Sequence, residues 1–226
     1  MTGIGGKALV VLSGGQDSTT CLYWAIDRFG PGNVETVTFD YGQRHRVELE
    51  CAARVAEFSG VPNRILPIDT FAALGGDALT DEAVAVEAEV DAATGLPNTF
   101  VPGRNLIFLT FAAAYAYRRG IGNLVTGVAQ TDYSGYPDCR EGTIESLQQT
   151  LRLGMESDIA IHTPLMHLSK KETVELARDL GALPAMAYTH TCYNGQRPPC
   201  GTCPACKLRA RGFAEAGVED PLSSPA

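Results

Sequence analysis

The stretch from Val10 to Thr20 constrains the fold more than any other part of this 226-residue chain. The apolar run Ala8–Leu12 is uninterrupted and partly β-branched, which is typical of a buried parallel strand. Gly14 and Gly15 then allow a tight turn, and apolar residues recur at helical spacing over Asp17–Phe29. The sequence therefore predicts a strand, a glycine loop and a helix N-terminus, which together bind anions through backbone N–H groups.

The side chains of this loop suit a phosphate ligand. Ser13, Ser18, Thr19 and Thr20 offer neutral donors for phosphate oxygens, and Asp17 could hold a magnesium ion. The loop is not a Walker loop, because the chain has no Gly-x4-Gly-Lys-Ser/Thr string. The plainer alternative is a glycine turn with a Ser/Thr N-cap, which occurs in many α/β proteins.

Strands and helices alternate along most of the chain, which predicts an α/β fold with a doubly wound parallel sheet and right-handed crossovers. The predicted strands are Ala8–Leu12, Val34–Phe39, Arg64–Ile68, Asn123–Val128 and Ile159–His162. The predicted helices are Asp17–Phe29, Arg46–Ser59, Leu106–Arg118, Thr143–Leu153 and Ser169–Leu180, the last with a capping box formed by Ser169 and Glu172. We expect residues 1–185 to form this domain and residues 186–226 a C-terminal metal-binding segment with an irregular tail.

Composition excludes several classes of protein. The net charge of −8 argues against a general grip on nucleic acid, which needs clustered Lys and Arg. No apolar run reaches about 18 residues, so the sequence contains no candidate membrane span. No secretory signal is visible, and a cytoplasmic location is the expectation. Seven cysteines without an export signal indicate metal or redox chemistry rather than a disulfide framework.

Four of the cysteines form a cluster, Cys192-x7-Cys200-x2-Cys203-x2-Cys206, among glycines and prolines. Four thiolates satisfy tetrahedral zinc with no open position, so the predicted site is structural. An iron–sulfur cluster and a redox Cys-x2-Cys pair are the alternatives. Cys21 and Cys51 are expected to be buried packing residues, and Cys139 is the spare cysteine that could contact a substrate.

Two polar segments follow predicted strands, where open α/β sheets bind their ligands. They are Asp40-Tyr41-Gly42-Gln43-Arg44-His45 and the loop from Gln130 to Arg140. Between them, residues 70–99 are acidic and punctuated by glycine. We expect residues 70–99 to form a partly ordered flap over the cleft, with a solvated acidic excursion as the alternative.

Several strings together resemble one family over about residues 7–212. They are Ser13-Gly14-Gly15-Gln16-Asp17-Ser18, Asp40–His45, Phe100-Val101-Pro102-Gly103-Arg104-Asn105, Thr131–Arg140, Thr163-Pro164-Leu165-Met166 and the four cysteines. The first resembles the loop of ATP pyrophosphatases, which cleave ATP between the α and β phosphates. The whole set is similar to the 7-cyano-7-deazaguanine synthase family within that superfamily.

The resemblance implies ATP-dependent conversion of 7-carboxy-7-deazaguanine and ammonia to the nitrile, a queuosine precursor, with Mg2+ on the triphosphate and structural Zn2+. It also implies a homodimer. The sequence shows no glutaminase domain, so free ammonia is the expected nitrogen source, and from charge and hydropathy we expect no nucleic-acid or membrane partner. The implied ATP-binding residues are Leu12, Ser13, Gly14, Gly15, Gln16, Asp17, Ser18, Thr19, Thr20, Cys21 and Leu22. The implied substrate-binding residues are Arg44, Arg104, Asp132, Tyr133, Tyr136, Asp138 and Arg140, and the catalytic candidates are Asp17, Ser18, Arg104 and His45.

Some alternatives remain open at this point. Arg44 and Arg104 could instead form surface ion pairs, and a loop histidine such as His45 is often a plain hydrogen-bonding residue. A tRNA thiolase, an amide-forming ligase with the same activation chemistry, or a zinc-ribbon binding module are the other functions to weigh. A thiolase predicts a basic face and an RNA-binding domain, which this acidic chain does not show.

Overall fold

The computed structural model describes residues 6–43, 46–71, 78–79, 94–131 and 135–222. In these ranges, the strands are β1 (Ala8–Val11), β2 (Val34–Asp40), β3 (Asn63–Pro67), β4 (Asn123–Val125) and β5 (Ala160–His162). The helices are α1 (Gln16–Phe29), α2 (Val47–Phe58), α3 (Arg104–Arg118), α4 (Glu141–Met155), α5 (Lys170–Asp179), α6 (Leu183–Met186) and α7 (Pro204–Ala216). Short 3-10 turns lie at Pro31–Asn33 and Pro137–Cys139.

The five strands form one parallel sheet in the order β3-β2-β1-β4-β5. The order runs outward in both directions from β1, as in doubly wound sheets, so the predicted fold class is confirmed. The point where the order reverses lies between β1 and β4, and Leu9 pairs there with Leu124. Open sheets of this kind bind their ligands beyond the carboxyl ends of the strands at such a point.

Two apolar layers cover the sheet. One contains Leu12, Leu22 and Val55 and packs α1 and α2 on one face. The other contains Leu9, Phe39 and Ala113 and packs α3 on the opposite face. Because both faces are covered, the central strands are apolar runs rather than alternating ones. Cys21 and Cys51 are fully buried, as expected of packing residues.

The C-terminal segment is more regular than predicted. We expected an irregular tail, but residues 204–216 form helix α7, and this expectation is wrong. Pro204 stands in the first turn and Gly217 ends the helix in the left-handed conformation, with φ 64°. Proline at the start and glycine just past the end are helix signals that the cysteine spacing obscured.

Two smaller expectations have definite outcomes. The Ser169–Glu172 capping box is present, with the Glu172 N–H donating to Ser169 Oγ at 3.3 Å and the Ser169 N–H donating to Glu172 Oε2 at 2.8 Å. Most of the expected flap, at 72–77 and 80–93, lies outside the described residues. Across the described ranges, no helix has the length and apolar character that crossing a membrane requires.

Candidate functional site

A cavity of about 830 Å³ opens at the carboxyl ends of β1, β2 and β4. Its walls include the loop after β1, the end of β2, the start of α3, the segment 126–129 after β4, and the C-terminal cysteine-rich segment. Leu79, Pro97 and Thr99, which are described residues of the expected flap, also line it. The position matches the site that the parallel topology predicts.

The loop after β1 is held by its own hydroxyl groups. Ser18 Oγ donates to the Gly15 carbonyl at 3.1 Å and accepts from the Ser13 N–H at 3.2 Å. The Thr19 hydroxyl also donates to the Gly15 carbonyl, at 2.9 Å. These bonds leave the first N–H groups of α1, which have no acceptor within the helix, at the cavity end of the loop. The geometry is that of an anion-binding helix start.

Two glycines allow other chain segments to reach this loop. Gly14 has φ +85°, and a Cβ there would lie 2.5 Å from the Glu48 carbonyl oxygen of α2. A Cβ on Gly127, just beyond β4, would lie 3.1 Å from the Ser18 nitrogen. The close approach of α2 to the loop and of the β4 end to the start of α1 therefore depends on the missing side chains. Gly127 was not among the residues predicted for the site.

Asp17 carries the one carboxylate of the loop. Its Oδ2 atom accepts from Lys170 Nζ of α5 at 2.6 Å. Its Oδ1 atom is buried and has no hydrogen-bond partner in the described part of the chain. An orphaned carboxylate oxygen beside a phosphate-type loop is what a divalent cation would complete. Lys170 was missed from the sequence, because 153 residues separate it from Asp17.

Arg104 lies at the first turn of α3 and also lines the cavity. Its Nη1 atom donates to Tyr41 Oη at 3.3 Å. Burial lowers the pKa of the guanidinium, but Tyr41, Tyr136 and Asp138 raise it more, so Arg104 stays charged. Neighbouring Gly103 has φ 72°, which lets the chain turn sharply into α3. Arg104 is thus a permanent cation presented to the cavity.

Tyr136 and aromatic side chains complete this end of the cavity. Tyr136 is buried, its hydroxyl lies 2.7 Å from Thr99 Oγ1, and burial raises its pKa. The Phe39 and Phe108 rings stack with centroids 4.6 Å apart and also line the cavity. A planar aromatic ligand would find both apolar surface and hydroxyl groups here.

The other predicted substrate residues either do not line the cavity or lie outside the described residues. Asp138 is buried, and its Oδ2 atom accepts from the Asn105 backbone N–H at 3.0 Å and from Asn105 Nδ2 at 3.1 Å, which ties the Pro137–Cys139 turn to α3. Arg140 is exposed at the N-cap of α4, and neither residue lines the cavity. Cys139 does line it. Arg44, His45, Asp132 and Tyr133 lie outside the described residues.

The predicted loop residues also divide into two groups. Leu12, Ser13, Gly15, Asp17 and Ser18 line the cavity. The remaining ones pack behind it, in the loop and the first two turns of α1: Gly14, Gln16, Thr19, Thr20, Cys21 and Leu22. Thr20, for example, donates its hydroxyl to the Gln16 carbonyl at 3.0 Å inside the helix.

Glu48 is an unpredicted acidic group in the cavity wall. Burial raises the pKa of its carboxyl group to about 7, and the charge of Arg104 opposes this shift. It belongs to the first turn of α2, directly behind Gly14. In the sequence it is marked only as a glutamate near the start of a helix.

The four cysteines come together, as their spacing predicts, in a cluster with the geometry of a metal site. The Sγ atoms of Cys192, Cys200, Cys203 and Cys206 all lie within 4.8 Å of one another. Tetrahedral zinc with bonds of about 2.3 Å needs sulfur atoms about 3.8 Å apart, and the Cys200 and Cys206 sulfurs are 3.9 Å apart. The Thr202 hydroxyl and the Cys203 N–H lower the pKa of Cys200, whereas burial raises the pKa of Cys206. The four sulfur atoms therefore fit a metal ion coordinated by four thiolates.

The metal centre is joined to the loop after β1. The His190 N–H donates to the Gly14 carbonyl at 2.9 Å, and His190 Nε2 lies 2.8 Å from the Cys192 carbonyl oxygen. Helix α7 packs on α5, where Gly212 approaches the backbone of Lys170 so closely that a Cβ would lie 3.2 Å from its carbonyl oxygen. Tyr193, Lys207 and Arg211 of this segment line the cavity. None of these contacts was predicted.

Comparison with known proteins agrees with this description. The family model described as "Queuosine biosynthesis protein QueC" matches residues 7–217. The chain is 70% identical to the 7-cyano-7-deazaguanine synthase of Chromobacterium violaceum, over 96% of this chain and 92% of the relative. It is 65% identical to the enzyme of the same name from Laribacter hongkongensis, over 95% of this chain and 93% of the relative.

Solved structures give a more distant likeness. An NH3-dependent NAD synthetase from Campylobacter jejuni aligns with a TM-score of 0.48 and 16% identity, over 78% of this chain and 64% of that one. The family follows from the sequence matches, which span nearly the whole chain. The chain belongs to the QueC family of queuosine biosynthesis proteins.

Proposed function

We propose that this protein is a carbon–nitrogen ligase that converts 7-carboxy-7-deazaguanine and ammonia to 7-cyano-7-deazaguanine with cleavage of ATP. Membership of the family and the name shared by its 70% and 65% identical relatives support the reaction. The observation that carries it is that one cavity holds both the Ser13–Ser18 loop and the Arg104 guanidinium. A phosphate-binding element thus faces a cation suited to a carboxylate.

The first half of the reaction makes the amide. A carboxylate is a poor electrophile, so its oxygen attacks the α-phosphorus of ATP and pyrophosphate leaves. Ammonia then attacks the adenylated carbonyl carbon, AMP departs, and one proton is released. We assign Arg104 to hold the carboxylate in line with the α-phosphate, because a guanidinium binds such oxygens bidentately.

The second half turns the amide into the nitrile. The amide oxygen attacks the α-phosphorus of a second ATP, and pyrophosphate leaves again. Loss of AMP and of the nitrogen-bound protons then gives the carbon–nitrogen triple bond. The same loop serves both activations, since only the attacking oxygen differs. Water must be excluded throughout, because it would return the adenylated carboxylate to the acid and the adenylated amide to the amide.

We assign the ATP triphosphate to the loop and first turns of α1, residues Leu12–Leu22. The N–H groups at the start of α1 and the Ser13 and Ser18 hydroxyls would stabilise the departing pyrophosphate. Asp17 would hold Mg2+, because its unpartnered Oδ1 atom is a hard oxygen ligand. The ion would supply charge neutralisation on the phosphates. Lys170, bonded to the other Asp17 oxygen, keeps this carboxylate oriented.

Several finer assignments stay predictions. Tyr136 is proposed as a substrate-binding residue from its place in the cavity wall. Asp132, Tyr133, Asp138, Arg140 and Arg44 as substrate residues, and His45 as general base, rest on the resemblance alone. Free ammonia as nitrogen source, the absence of nucleic acid, the homodimer, the cytoplasmic location and the division of the chain at residue 185 also stay predictions.

We assign zinc to the four-cysteine centre. Four thiolates leave no open position for a substrate, so the ion would have a structural role. Cys203 supports this assignment, because its Sγ atom accepts from the Cys206 N–H and so caps α7. One pair of metal ligands therefore fixes the start of the helix that packs on α5.

The test is mass spectrometry of the products formed from ATP, Mg2+, ammonium and 7-carboxy-7-deazaguanine, with Asp17→Ala as control. The nitrile, AMP and pyrophosphate should form with the intact protein but not with the Asp17→Ala variant. An amide that accumulates would keep the activation chemistry and move the function to an amide-forming ligase. Absence of ATP turnover by the intact protein would overturn the enzyme assignment.

A further inference from the structure

Tyr193 directly follows Cys192, the first ligand of the metal centre, and lines the cavity that holds the Ser13–Ser18 loop. Its side chain therefore has two sets of neighbours. On one side it packs against the cysteine cluster. On the other it makes a side-chain hydrogen bond to Tyr136 and lies close enough to Arg104 to help raise the pKa of the guanidinium.

Four hydroxyl groups lie near Arg104, on Tyr41, Thr99, Tyr136 and Tyr193. Thr99 Oγ1 lies 2.7 Å from Tyr136 Oη, Tyr136 is bonded to Tyr193, and Arg104 donates to Tyr41. The four hydroxyl groups come from four different parts of the chain. A structural tyrosine needs only one backbone partner, whereas this set converges on a permanent cation inside the cavity.

Such a set is suited to an anion attached to a flat ring. The guanidinium supplies the charge, and phenol hydroxyls can both donate and accept, so their protons can turn toward an oxygen bound at Arg104. Phe39 and Phe108 supply apolar surface in the same cavity. A phosphate chain does not need that apolar surface, but a flat heteroaromatic ring does.

We propose that Tyr193 is a substrate-binding residue, whose hydroxyl acts with Arg104 to bind the carboxylate of the heteroaromatic acid. The assignment rests on the proposed function, since the acid is its substrate. The metal-binding segment then has a second task beyond stability. It holds Tyr193 at the substrate end of the cavity, while the loop after β1 holds the ATP end.

The test compares the metal-loaded wild-type protein with Tyr193→Phe, which keeps the ring that packs on the cysteine cluster. Calorimetric titration with 7-carboxy-7-deazaguanine should give a Kd about tenfold higher for the variant, as expected for one lost polar contact to a charged group. The KM for the acid should rise similarly. The KM for ATP, the metal content per chain and the Tm should change little.

Tyr188→Phe is the matched control. Tyr188 lies in the same segment of the chain but packs on Phe58, with ring centroids 5.1 Å apart, outside the residues that line the cavity. Its acid affinity should equal that of the wild type. A double-mutant cycle with Tyr136→Phe adds a second measure. If the two hydroxyls bind the acid together, the loss of binding free energy in the double variant should be smaller than the sum of the losses in the two single variants.

Two results would overturn the proposal. An unchanged Kd for the acid in Tyr193→Phe would show that the hydroxyl does not bind it. Equal losses for acid and ATP, together with lower metal content, would show a purely structural role. If the wild-type protein itself does not bind the acid, the proposed function fails. If the wild type binds it and Tyr193→Phe binds it equally well, only the proposal for Tyr193 fails.

Discussion

The loop after β1 and the four-cysteine segment meet in one cavity but are built in different ways. The loop is local: Ser13, Gly15 and Ser18 bond one another within six residues. The cysteine segment has no helix until Pro204, and its order depends on four sulfur atoms brought together and on contacts with distant parts of the chain. Local hydrogen bonding fixes the first region, and long-range attachment fixes the second.

The attachments of the second region are specific. Arg209 is buried in α7 and forms a two-pronged ion pair with Asp220, with both N–O distances 2.7 Å. The same guanidinium donates to Thr189 Oγ1 at 2.8 Å. His190, the next residue, donates its N–H to Gly14. Loss of the metal should therefore disturb the ATP loop through His190, whereas damage to the loop should leave the metal in place.

The largest expected effect is on the metal side. Cys203→Ser removes one ligand and the sulfur that caps α7, so we expect metal content to fall below a tenth of an ion per chain. The free energy of unfolding should fall on the order of 5 kcal/mol, since metal binding and folding of the segment are coupled. Atomic spectrometry and urea unfolding measure the two quantities.

Cys139→Ser is the control, because Cys139 lies outside the cluster and should leave the metal content at one ion per chain. A Cys203→Ser protein with full metal content and unchanged unfolding would contradict the coupling.

The next effect is on the loop side and is catalytic. Asp17→Asn keeps the shape of the side chain but removes its charge, so the rate of pyrophosphate release should fall about 1,000-fold. Metal content should stay at the wild-type value, in contrast to Cys203→Ser. Asp27→Asn, at the exposed far end of α1, should keep full activity. A loss of less than tenfold in Asp17→Asn would remove Asp17 from the phosphate site.

A smaller effect compares two glycines with positive φ. Gly60→Ala introduces backbone strain but no clash, since no atom lies within 4 Å of a Cβ there. It should lower the free energy of unfolding by about 1 kcal/mol. Gly14→Ala adds a Cβ 2.5 Å from the Glu48 carbonyl oxygen and should cost about 3 kcal/mol, because α2 must move. Urea unfolding of both variants gives the comparison, and equal costs would contradict the close packing of the loop on α2.

The difference between the regions also explains what the sequence could predict. The order strand, glycine loop, helix is written in consecutive residues, and so is the cysteine spacing, so β1, α1 and the metal centre were predicted correctly. The parallel sheet followed from the alternation of apolar runs and helical patterns. Helix α7 was not predicted, because the cysteine spacing was interpreted as an irregular metal-binding segment. Pro204 and Gly217, which mark the ends of the helix, are the signals that could have identified it.

The contacts that assemble the cavity could not be predicted in this way. Lys170 reaches Asp17 across 153 residues, and Tyr193 reaches Tyr136 across the fold. Such pairs depend on how helices dock on the sheet, and single-sequence periodicity carries no information on docking. The resemblance named Arg104 and Tyr136, but it assigned no partner to either.

The smallest effect concerns pH and separates the two regions once more. Burial raises the pKa of Glu48 from 4.5 to about 7 in the folded protein. Between these values the folded state holds a proton that the unfolded state has lost, so this group lowers stability as pH rises from about 4.5 to about 7. The thiolates of the metal centre act in the opposite direction, because protonation at low pH releases the metal.

Glu48→Gln should remove the Glu48 contribution alone. The free energy of unfolding of the variant should exceed that of the wild type by roughly 1–2 kcal/mol at pH 8 and by little at pH 4.5. The difference should grow as the pH rises across this interval. Urea unfolding of both proteins at several pH values measures it, and Glu50→Gln, an exposed residue of the same helix, is the control. A difference that does not depend on pH would mean that Glu48 is ionised in the folded protein throughout, and that Arg104 compensates its charge fully.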